Sequence, residues 1–228
     1  MASQADVRET SGDRFAAQRA TMVASQLRTT GVDDARVIAA MARVPRERFV
    51  PQASGDLAYR DTGVPLGGGR MLNSPMATAL LLNAAQLSAT DRVLLIGAAG
   101  GYAAAVLAQL VAHVVAVESD PALAEAAREA LAGVTSVEVV AGPLDEGHAE
   151  SAPYDVMVVD GAVPRLSDAL VGQLAAGGRC VAGLVERGVT RLASGARTAH
   201  GFALVPFADA EVALLPGFAQ PTGFSFGG

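Results

Sequence analysis

The chain has no lysine, no tryptophan and one cysteine, Cys180, among its 228 residues. All 17 basic residues are arginines, which excludes Schiff-base chemistry and the lysine of a P-loop. A single thiol forms neither an intrachain disulfide nor a thiolate metal cluster, and it suits a reducing compartment. The three histidines, His113, His148 and His200, lie too far apart for metal-ligand spacing, so we expect no metal site.

The net charge and the hydropathy of the chain indicate which kinds of partner it does not bind. Acidic residues number 23 and basic residues 17, and this balance of −6 does not favour binding to the phosphates of nucleic acid. No apolar run reaches the roughly 18 residues of a membrane span. Residues 1–19 are charged where a signal peptide is apolar. We therefore expect a cytoplasmic protein that binds neither nucleic acid nor a membrane; the composition assigns no oligomeric state.

Beyond residue 92 the chain alternates strands with helices. Strands are predicted at 93–96, 114–117, 137–140, 156–159 and 179–184, with helices at 102–111, 121–131 and 166–174. Strands that are apolar on both faces and alternate with helices indicate a parallel sheet covered on both sides. We therefore predict an α/β fold, with a hairpin of strands 189–193 and 202–207 at one sheet edge. The hydrophobic share of 51% is enough for a full core.

The N-terminal third has a different pattern. Residues 1–12 are predicted to be a frayed end, and a helix is predicted at 14–28. Asp33 or Asp34 caps a second helix, which Pro45 ends. Residues 46–69 are predicted to be irregular, and Pro75 opens a helix over 76–87. We expect residues 1–75 to pack as a helical and loop region on a core of residues 76–228, within one structural domain.

Ligands of open parallel sheets bind beyond the carboxyl ends of the strands. A glycine-rich turn from Gly97 to Gly101 follows the first of these strands, and its N–H groups are expected to be free for polar ligand atoms. Glu118 follows the second strand, where a carboxylate can accept both hydroxyl hydrogens of an adenosine ribose. The alternative is that Glu118 is a solvated neighbour of the helix that Asp120 and Pro121 open.

Two further strand ends are candidates for the same ligand. Gly142, Pro143 and Leu144 follow the third strand, where an adenine can lie against backbone and apolar side chains. Asp160 follows the fourth strand, near the reactive end of a bound nucleoside. Asp160 either orients a cofactor or substrate there or caps the next turn.

Several motifs carry a family resemblance. The segments MVASQL at 22–27, VPRERFVP at 44–51, AYRD at 58–61 and VPLG at 64–67 closely resemble protein-L-isoaspartate O-methyltransferases. The segments VLLIG at 93–97, GYAAAVLA at 101–108, APYD at 152–155 and GGR at 177–179 resemble the rest of that family. The match covers roughly residues 20–185.

The resemblance implies a Rossmann-like class I S-adenosylmethionine-dependent methyltransferase fold. The implied reaction esterifies the α-carboxyl freed in an isoaspartyl linkage of a protein or peptide, with S-adenosylhomocysteine as product, and starts the repair of aged proteins. Cofactor binding is then expected at Leu72, Gly97, Ala98, Gly101, Tyr102, Glu118, Ser119, Gly142, Pro143, Leu144 and Asp160. Catalytic roles are expected for Asn73, Ser74 and Asp160, and substrate binding for Arg70 and Asn73.

This chain departs from the family pattern before the first core helix. The family has Gln-Thr-Ile-Ser-Gln-Pro where residues 70–75 read RMLNSP, so Met71 replaces the threonine and Asn73 the serine. Pro143 replaces an aspartate near the adenine, and Ala99 replaces the central glycine of the turn. Asp160 stands in place of a small or hydroxyl residue. Its negative charge at the substrate carboxylate argues for a different substrate.

Two alternatives to a working methyltransferase stay open. The lost polar contacts motivate the first, a methyltransferase-like protein that no longer catalyses and serves as a binding or regulatory module. The glycine turn and Glu118 alone are compatible with a nicotinamide-dependent oxidoreductase, but that class has no use for the N-terminal motifs.

Overall fold

The computed structural model describes the backbone of residues 4–218 and the side chains from Gly12 to Phe218. The strands are β1 (Val64–Gly67), β2 (Arg70–Leu72), β3 (Arg92–Ile96), β4 (His113–Glu118), β5 (Val137–Ala141), β6 (Tyr154–Val163), β7 (Leu174–Glu186), β8 (Val189–Thr198), β9 (Gly201–Phe202) and β10 (Val205–Asp209). The α-helices are α1 (Gln4–Met22), α2 (Ala35–Arg43), α3 (Pro75–Ala84), α4 (Tyr102–Leu107), α5 (Pro121–Ala130) and α6 (Asp168–Gly172).

The main sheet has the order β5-β4-β3-β6-β7-β8-β10. Neighbours from β5 to β7 are parallel, whereas β8 runs antiparallel to both β7 and β10. The predicted α/β fold with a mostly parallel sheet is confirmed. The chain leaves β3 towards β4 on one side and returns to β6 on the other, so the strand order reverses between β3 and β6. That switch point is where sheets of this kind bind ligands.

Local capping explains where the helices begin. The Asp34 carboxylate accepts a hydrogen bond from the backbone N–H of Arg36 at 2.8 Å, which confirms the predicted cap of α2. The Ser74 hydroxyl accepts from Ala77 N at 3.2 Å and starts α3, and Asp120 caps α5 in the same way. These caps hold the loops that follow the strands in place.

The structure corrects six predicted elements. Helix α1 covers most of the predicted frayed end, because no glycine or proline before Gly12 interrupts it. A π-helix, Val23–Leu27, continues it. The hairpin of β1 and β2 lies in the region predicted to be irregular, where Gly67, Gly68 and Gly69 all have positive φ and make the turn. Strands β6 and β7 are longer than predicted because their pairing continues past a bulge. Helices α4 and α6 are shorter than the predicted helices at 102–111 and 166–174.

Hydrophobic residues form one core cluster on each face of the sheet. Successive side chains of β3 alternate, so Val93 and Leu95 lie in the first cluster and Leu94 and Ile96 in the second. The first cluster also contains buried residues of the π-helix, α2 and α3, so the N-terminal third packs on that face. The proposed division at residue 75 stays a prediction. Within residues 4–218 no helix is long and apolar enough to cross a membrane.

Candidate active site at the strand ends

Glu118 is the last residue of β4, the strand that pairs with β3 on the side away from β6, and it is fully buried. Three backbone N–H groups point at its carboxylate. Ala99 N donates to Oε2 at 2.7 Å, and Ser119 N and Asp120 N donate to Oε1 at 2.9 and 3.0 Å. The alternative of a solvated neighbour of α5 is wrong, because this carboxylate has no exposed surface.

Arg70, the first residue of β2, is the side-chain partner of Glu118. Its Nη2 donates to Oε2 at 2.7 Å and its Nε to Oε1 at 3.3 Å, so the contact is a forked ion pair. The Arg70 side chain is only 4% exposed. Its third nitrogen, Nη1, is buried and has no hydrogen-bond partner among the described residues. Sequence reasoning placed Arg70 on a substrate, whereas the structure places it on the carboxylate predicted to bind the ribose.

The glycine-rich turn after β3 differs from the prediction in one respect. Gly97 N and Ala98 N both donate to the carbonyl of Val117 at 3.0 Å, and Gly101 N donates to Ala98 O at 2.8 Å. These N–H groups are therefore used within the protein, because the turn folds back on the end of β4. Ala99 has a φ of +49°, a conformation that favours glycine, and its N–H is held by Glu118.

Asp160 and Asn73 form a second buried pair beside this turn. Asn73 Nδ2 donates to Asp160 Oδ1 at 2.8 Å and to the Asp160 carbonyl at 3.0 Å. Asn73 Oδ1 accepts from Ala213 N at 2.9 Å. The pair therefore joins the end of β2, the strand β6 and the segment that follows β10. Sequence reasoning named both residues but not their contact.

Burial raises the pKa of Asp160 above its usual range, while the hydrogen bond from Asn73 and the charges of Arg46 and Arg70 act against that rise. Arg70 is paired with Glu118, and Arg46 donates to the carbonyl of Asn73. Their charges offset only part of the cost of burying the Asp160 carboxylate, because the net effect of its surroundings is to raise its pKa.

Arg46 is a site-forming residue that sequence reasoning missed. It is fully buried, its Nε donates to Ala58 O at 2.6 Å, and its Nη2 donates to the carbonyl of Asn73. Its guanidinium carbon lies 4.6 Å from the centre of the Tyr102 ring. The motif VPRERFVP contained Arg46, and this motif carried the family resemblance without a stated role for the side chain. Arg46 is a positioning residue that connects residues 44–58 to the end of β2.

A segment after β10 crosses the carboxyl ends of β6 and β3. Ala162 N donates to Ala213 O at 2.7 Å, and Leu215 N donates to Ala162 O at 2.9 Å. A Cβ added to Gly97 would lie 3.0 Å from Leu215 Cδ2, and one added to Gly161 would lie 2.6 Å from Leu215 Cγ. We call residues 212–218 the crossing segment. The predicted tail interactions of residues 219–228 lie outside the described residues.

The remaining predicted residues lie around this centre. Leu72 and Ala98 are buried, and Ser119 contacts Glu118 through its N–H and hydroxyl. Gly142 N donates to the carbonyl of Glu118 at 3.0 Å, Leu144 is buried in the same cluster as Leu215, and Pro143 is exposed. The Ser74 hydroxyl caps α3, and the Tyr102 ring is buried against Phe49. Among the residues that the structure describes, no group of His, Cys, Asp and Glu is arranged to hold a metal ion.

Comparison with known proteins gives one consistent family. The family model of protein-L-isoaspartate(D-aspartate) O-methyltransferase matches residues 18–204. A protein-L-isoaspartate O-methyltransferase 1 of Rhodopseudomonas palustris (strain HaA2) is 47% identical over 169 residues, which are 73% of this chain and 69% of that protein. A protein-L-isoaspartate O-methyltransferase of Methanoculleus marisnigri is 44% identical over 167 residues, covering 72% of this chain and 76% of that protein.

Solved structures show the same fold. A protein-L-isoaspartate O-methyltransferase superposes with a TM-score of 0.76 at 24% identity, over 87% of this chain and 66% of that one. A putative protein-L-isoaspartate O-methyltransferase from Plasmodium falciparum, in complex with S-adenosyl-L-homocysteine, gives a TM-score of 0.75 at 18% identity, over 87% of this chain and 98% of that one.

Proposed function

Because this chain belongs to the protein-L-isoaspartate(D-aspartate) O-methyltransferase family, we propose that it methylates the α-carboxylate of isoaspartyl residues in proteins or peptides, with S-adenosylmethionine as the methyl donor. The family resemblance of the motifs is confirmed. The observation that carries the proposal is the buried Glu118 at the end of β4, beside the glycine turn and the switch point.

The strand ends fit an adenosine cofactor by their chemistry. Glu118 is a buried carboxylate of the kind that accepts ribose hydroxyls, and the buried side chains of Leu144 and Leu215 supply apolar neighbours for a purine. The carboxylate now accepts from Arg70, so a ribose reaches it by exchange with that guanidinium. We propose that Glu118, the turn at Gly97 and the backbone at Gly142 hold the cofactor.

The bound cofactor supplies a methyl group on a sulfonium. The chain itself has to hold the substrate carboxylate in line with that methyl, because a carboxylate is already ionised at neutral pH and needs no general base. The absence of a catalytic histidine or cysteine at the described strand ends agrees with this requirement. Positioning is then the main contribution of the protein to the rate.

We assign the substrate side to Arg70, Asn73 and Asp160. The unpaired Nη1 of Arg70 offers buried donors for a carboxylate. Asn73 fixes Asp160 and, through Ala213, the crossing segment. The Ser74 hydroxyl supports this arrangement by starting α3 directly after Asn73. The buried thiol of Cys180 suits a reducing compartment, and we propose the cytoplasm as the location of the protein.

The test measures methyl transfer from radiolabelled S-adenosylmethionine to an isoaspartyl peptide, with the same peptide carrying normal aspartate as the reference. We expect methyl transfer to the isoaspartyl peptide only. In Glu118→Gln we expect this transfer to fall by at least about tenfold, because an amide has one acceptor oxygen where a carboxylate has two and so cannot accept a hydroxyl hydrogen at both positions.

Asp91→Asn is the matched control. Asp91 is also a buried carboxylate paired with an arginine, Arg179, but it lies before β3 at the opposite end of the strands. This variant is expected to lose stability and to keep methyl transfer once folded. Equal methylation of both peptides, or full activity in Glu118→Gln, would contradict the proposal.

A further inference from the structure

The contact between Arg70 and Glu118 uses the acceptor that a nucleotide needs. A carboxylate has about four lone-pair directions. Oε1 accepts from Ser119 N, Asp120 N and Arg70 Nε, with the Ser119 hydroxyl at the longer distance of 3.4 Å, and Oε2 accepts from Ala99 N and Arg70 Nη2. Each oxygen already has at least two donors, so a ribose hydroxyl can bind only where a donor leaves.

Arg70 is the donor that can leave. The three N–H groups on Glu118 belong to main-chain residues that follow β3 and β4, and the neighbouring bonds of Gly97 N and Ala98 N to Val117 O and of Ala124 N to Asp120 O fix that backbone. Arg70 belongs instead to the short β2 of a two-stranded hairpin outside the main sheet. Its Nη1 has no partner among the described residues, and its charge also lowers the pKa of Asp160, so a second buried carboxylate interacts with this guanidinium.

We propose that Arg70 is an internal competitor of the cofactor ribose for Glu118, and that it sets the affinity of this chain for S-adenosylmethionine and S-adenosylhomocysteine. The inference rests on the proposed function, since it assumes that Glu118 binds the ribose. Both ligands carry the same ribose, so the competition weakens the donor and the product alike. A weaker complex with the product shortens the time that it blocks the site.

The position of the guanidinium supports competition over a purely structural role. Arg70 Nη2 lies 3.4 Å from where a Cβ on Gly97 would be, so the group extends across the turn that the cofactor is proposed to approach. Glu118 keeps its three N–H donors without Arg70. Removing the guanidinium therefore does not leave the buried carboxylate without hydrogen bonds.

The experiment is calorimetric titration of the purified protein, without peptide substrate, with S-adenosylhomocysteine. Wild type is compared with Arg70→Gln, which removes the charge and the fork, and Arg70→Lys, which keeps the charge without the fork. Arg70→Gln removes a guanidinium whose hydrogen bonds to Glu118 are charge-assisted, so its Kd for S-adenosylhomocysteine is expected to be about tenfold to a hundredfold lower than that of wild type. A smaller decrease in Kd is expected for Arg70→Lys.

A second ligand separates competition from a general loosening of the site. The 2′,3′-dideoxy analogue of S-adenosylhomocysteine has no hydroxyls to offer Glu118, so Arg70→Gln is expected to bind it no more tightly than wild type. Arg179→Gln is the control variant, because it removes an arginine from another buried carboxylate pair. Its Kd for both ligands is expected to equal that of wild type. Thermal unfolding confirms that each variant is folded, and Arg70→Lys replaces Arg70→Gln if the latter does not fold.

Equal affinity of wild type and both Arg70 variants for S-adenosylhomocysteine overturns the inference and leaves the proposed function intact. A gain of the same size for the dideoxy analogue also overturns it, because the arginine would then act on the site as a whole. Absence of binding in wild type and variants alike overturns the proposed function, and the inference with it.

Discussion

The amide of Asn73 connects three parts of the site, and its removal tests that arrangement. Asn73→Ala deletes the hydrogen bonds to the Asp160 carboxylate, to the Asp160 carbonyl and from Ala213 N. It keeps the backbone contact with Arg46, which uses the carbonyl of residue 73. The variant therefore isolates the side-chain amide, which is 2% exposed.

The cost follows from these three contacts. Two are neutral hydrogen bonds worth about 1 kcal/mol each, and the bond to the carboxylate is worth about 1.5 to 3 kcal/mol. We expect a loss of about 4 kcal/mol in the free energy of unfolding at pH 7, a large part of the 5 to 15 kcal/mol that is typical of a domain. Urea unfolding is followed by far-UV circular dichroism, since the chain has no tryptophan.

The loss is expected to depend on pH with a definite sign. The folded pKa of Asp160 lies above its ordinary value of 3.8, mainly through burial, and the bond from Asn73 opposes that rise. Without Asn73 the folded pKa rises further. A carboxyl with a raised folded pKa contributes stability that is present below the unfolded pKa and lost as the pH rises through the folded value. The cost of Asn73→Ala is therefore smallest near pH 4 and grows as the pH increases.

Asn83→Ala is the matched control. The Asn83 Oδ1 accepts from Asp33 N at 3.0 Å and Asp34 N at 2.9 Å, and no carboxylate is involved. Its loss is expected to cost about 1 to 2 kcal/mol with no comparable change with pH. A cost of Asn73→Ala below 1 kcal/mol, or one that does not change between pH 4 and pH 8, would refute the role given to the amide.

Two further predictions concern backbone and burial. Gly101 has a φ of +96°, and an added Cβ would lie 3.1 Å from Leu131 Cδ1. Gly101→Ala is therefore expected to lower the free energy of unfolding by about 1 to 3 kcal/mol. An unchanged melting temperature would contradict this prediction. Cys180 is fully buried in β7, and burial raises the pKa of its thiol. A thiol reagent is therefore expected to modify Cys180 only after the protein is unfolded in guanidinium. Rapid reaction of the native protein would show that Cys180 is accessible and would contradict this prediction.

Sequence reasoning found the elements that local rules determine. The cap at Asp34, the start of α3 after Ser74 and the existence of strands β3 to β6 all follow from residues close together in the chain. The β1–β2 hairpin was missed because a three-residue strand has no usable periodicity. The added length of β6 and β7 was missed because it comes from pairing, and pairing is not a local property.

The same distinction holds for the site. Position after the predicted strand 114–117 selected Glu118, which is the last residue of β4, and position after the predicted strand 156–159 selected Asp160, which lies within the longer β6. The partners of these carboxylates were not predictable, because Arg70 is 48 residues from Glu118 and Asn73 is 87 residues from Asp160 along the chain. Only the folded hairpin brings β2 beside both strand ends.

The crossing segment also has a consequence for the protein as it leaves the ribosome. It is later in the chain than every strand of the main sheet, yet it covers Gly97 and Gly161 at the centre of that sheet. Chains begin to fold from their N-terminal parts during synthesis. The strands on either side of the crevice between β3 and β6 are therefore synthesised before the segment that covers them, and the crevice can be closed only after that late segment has left the ribosome.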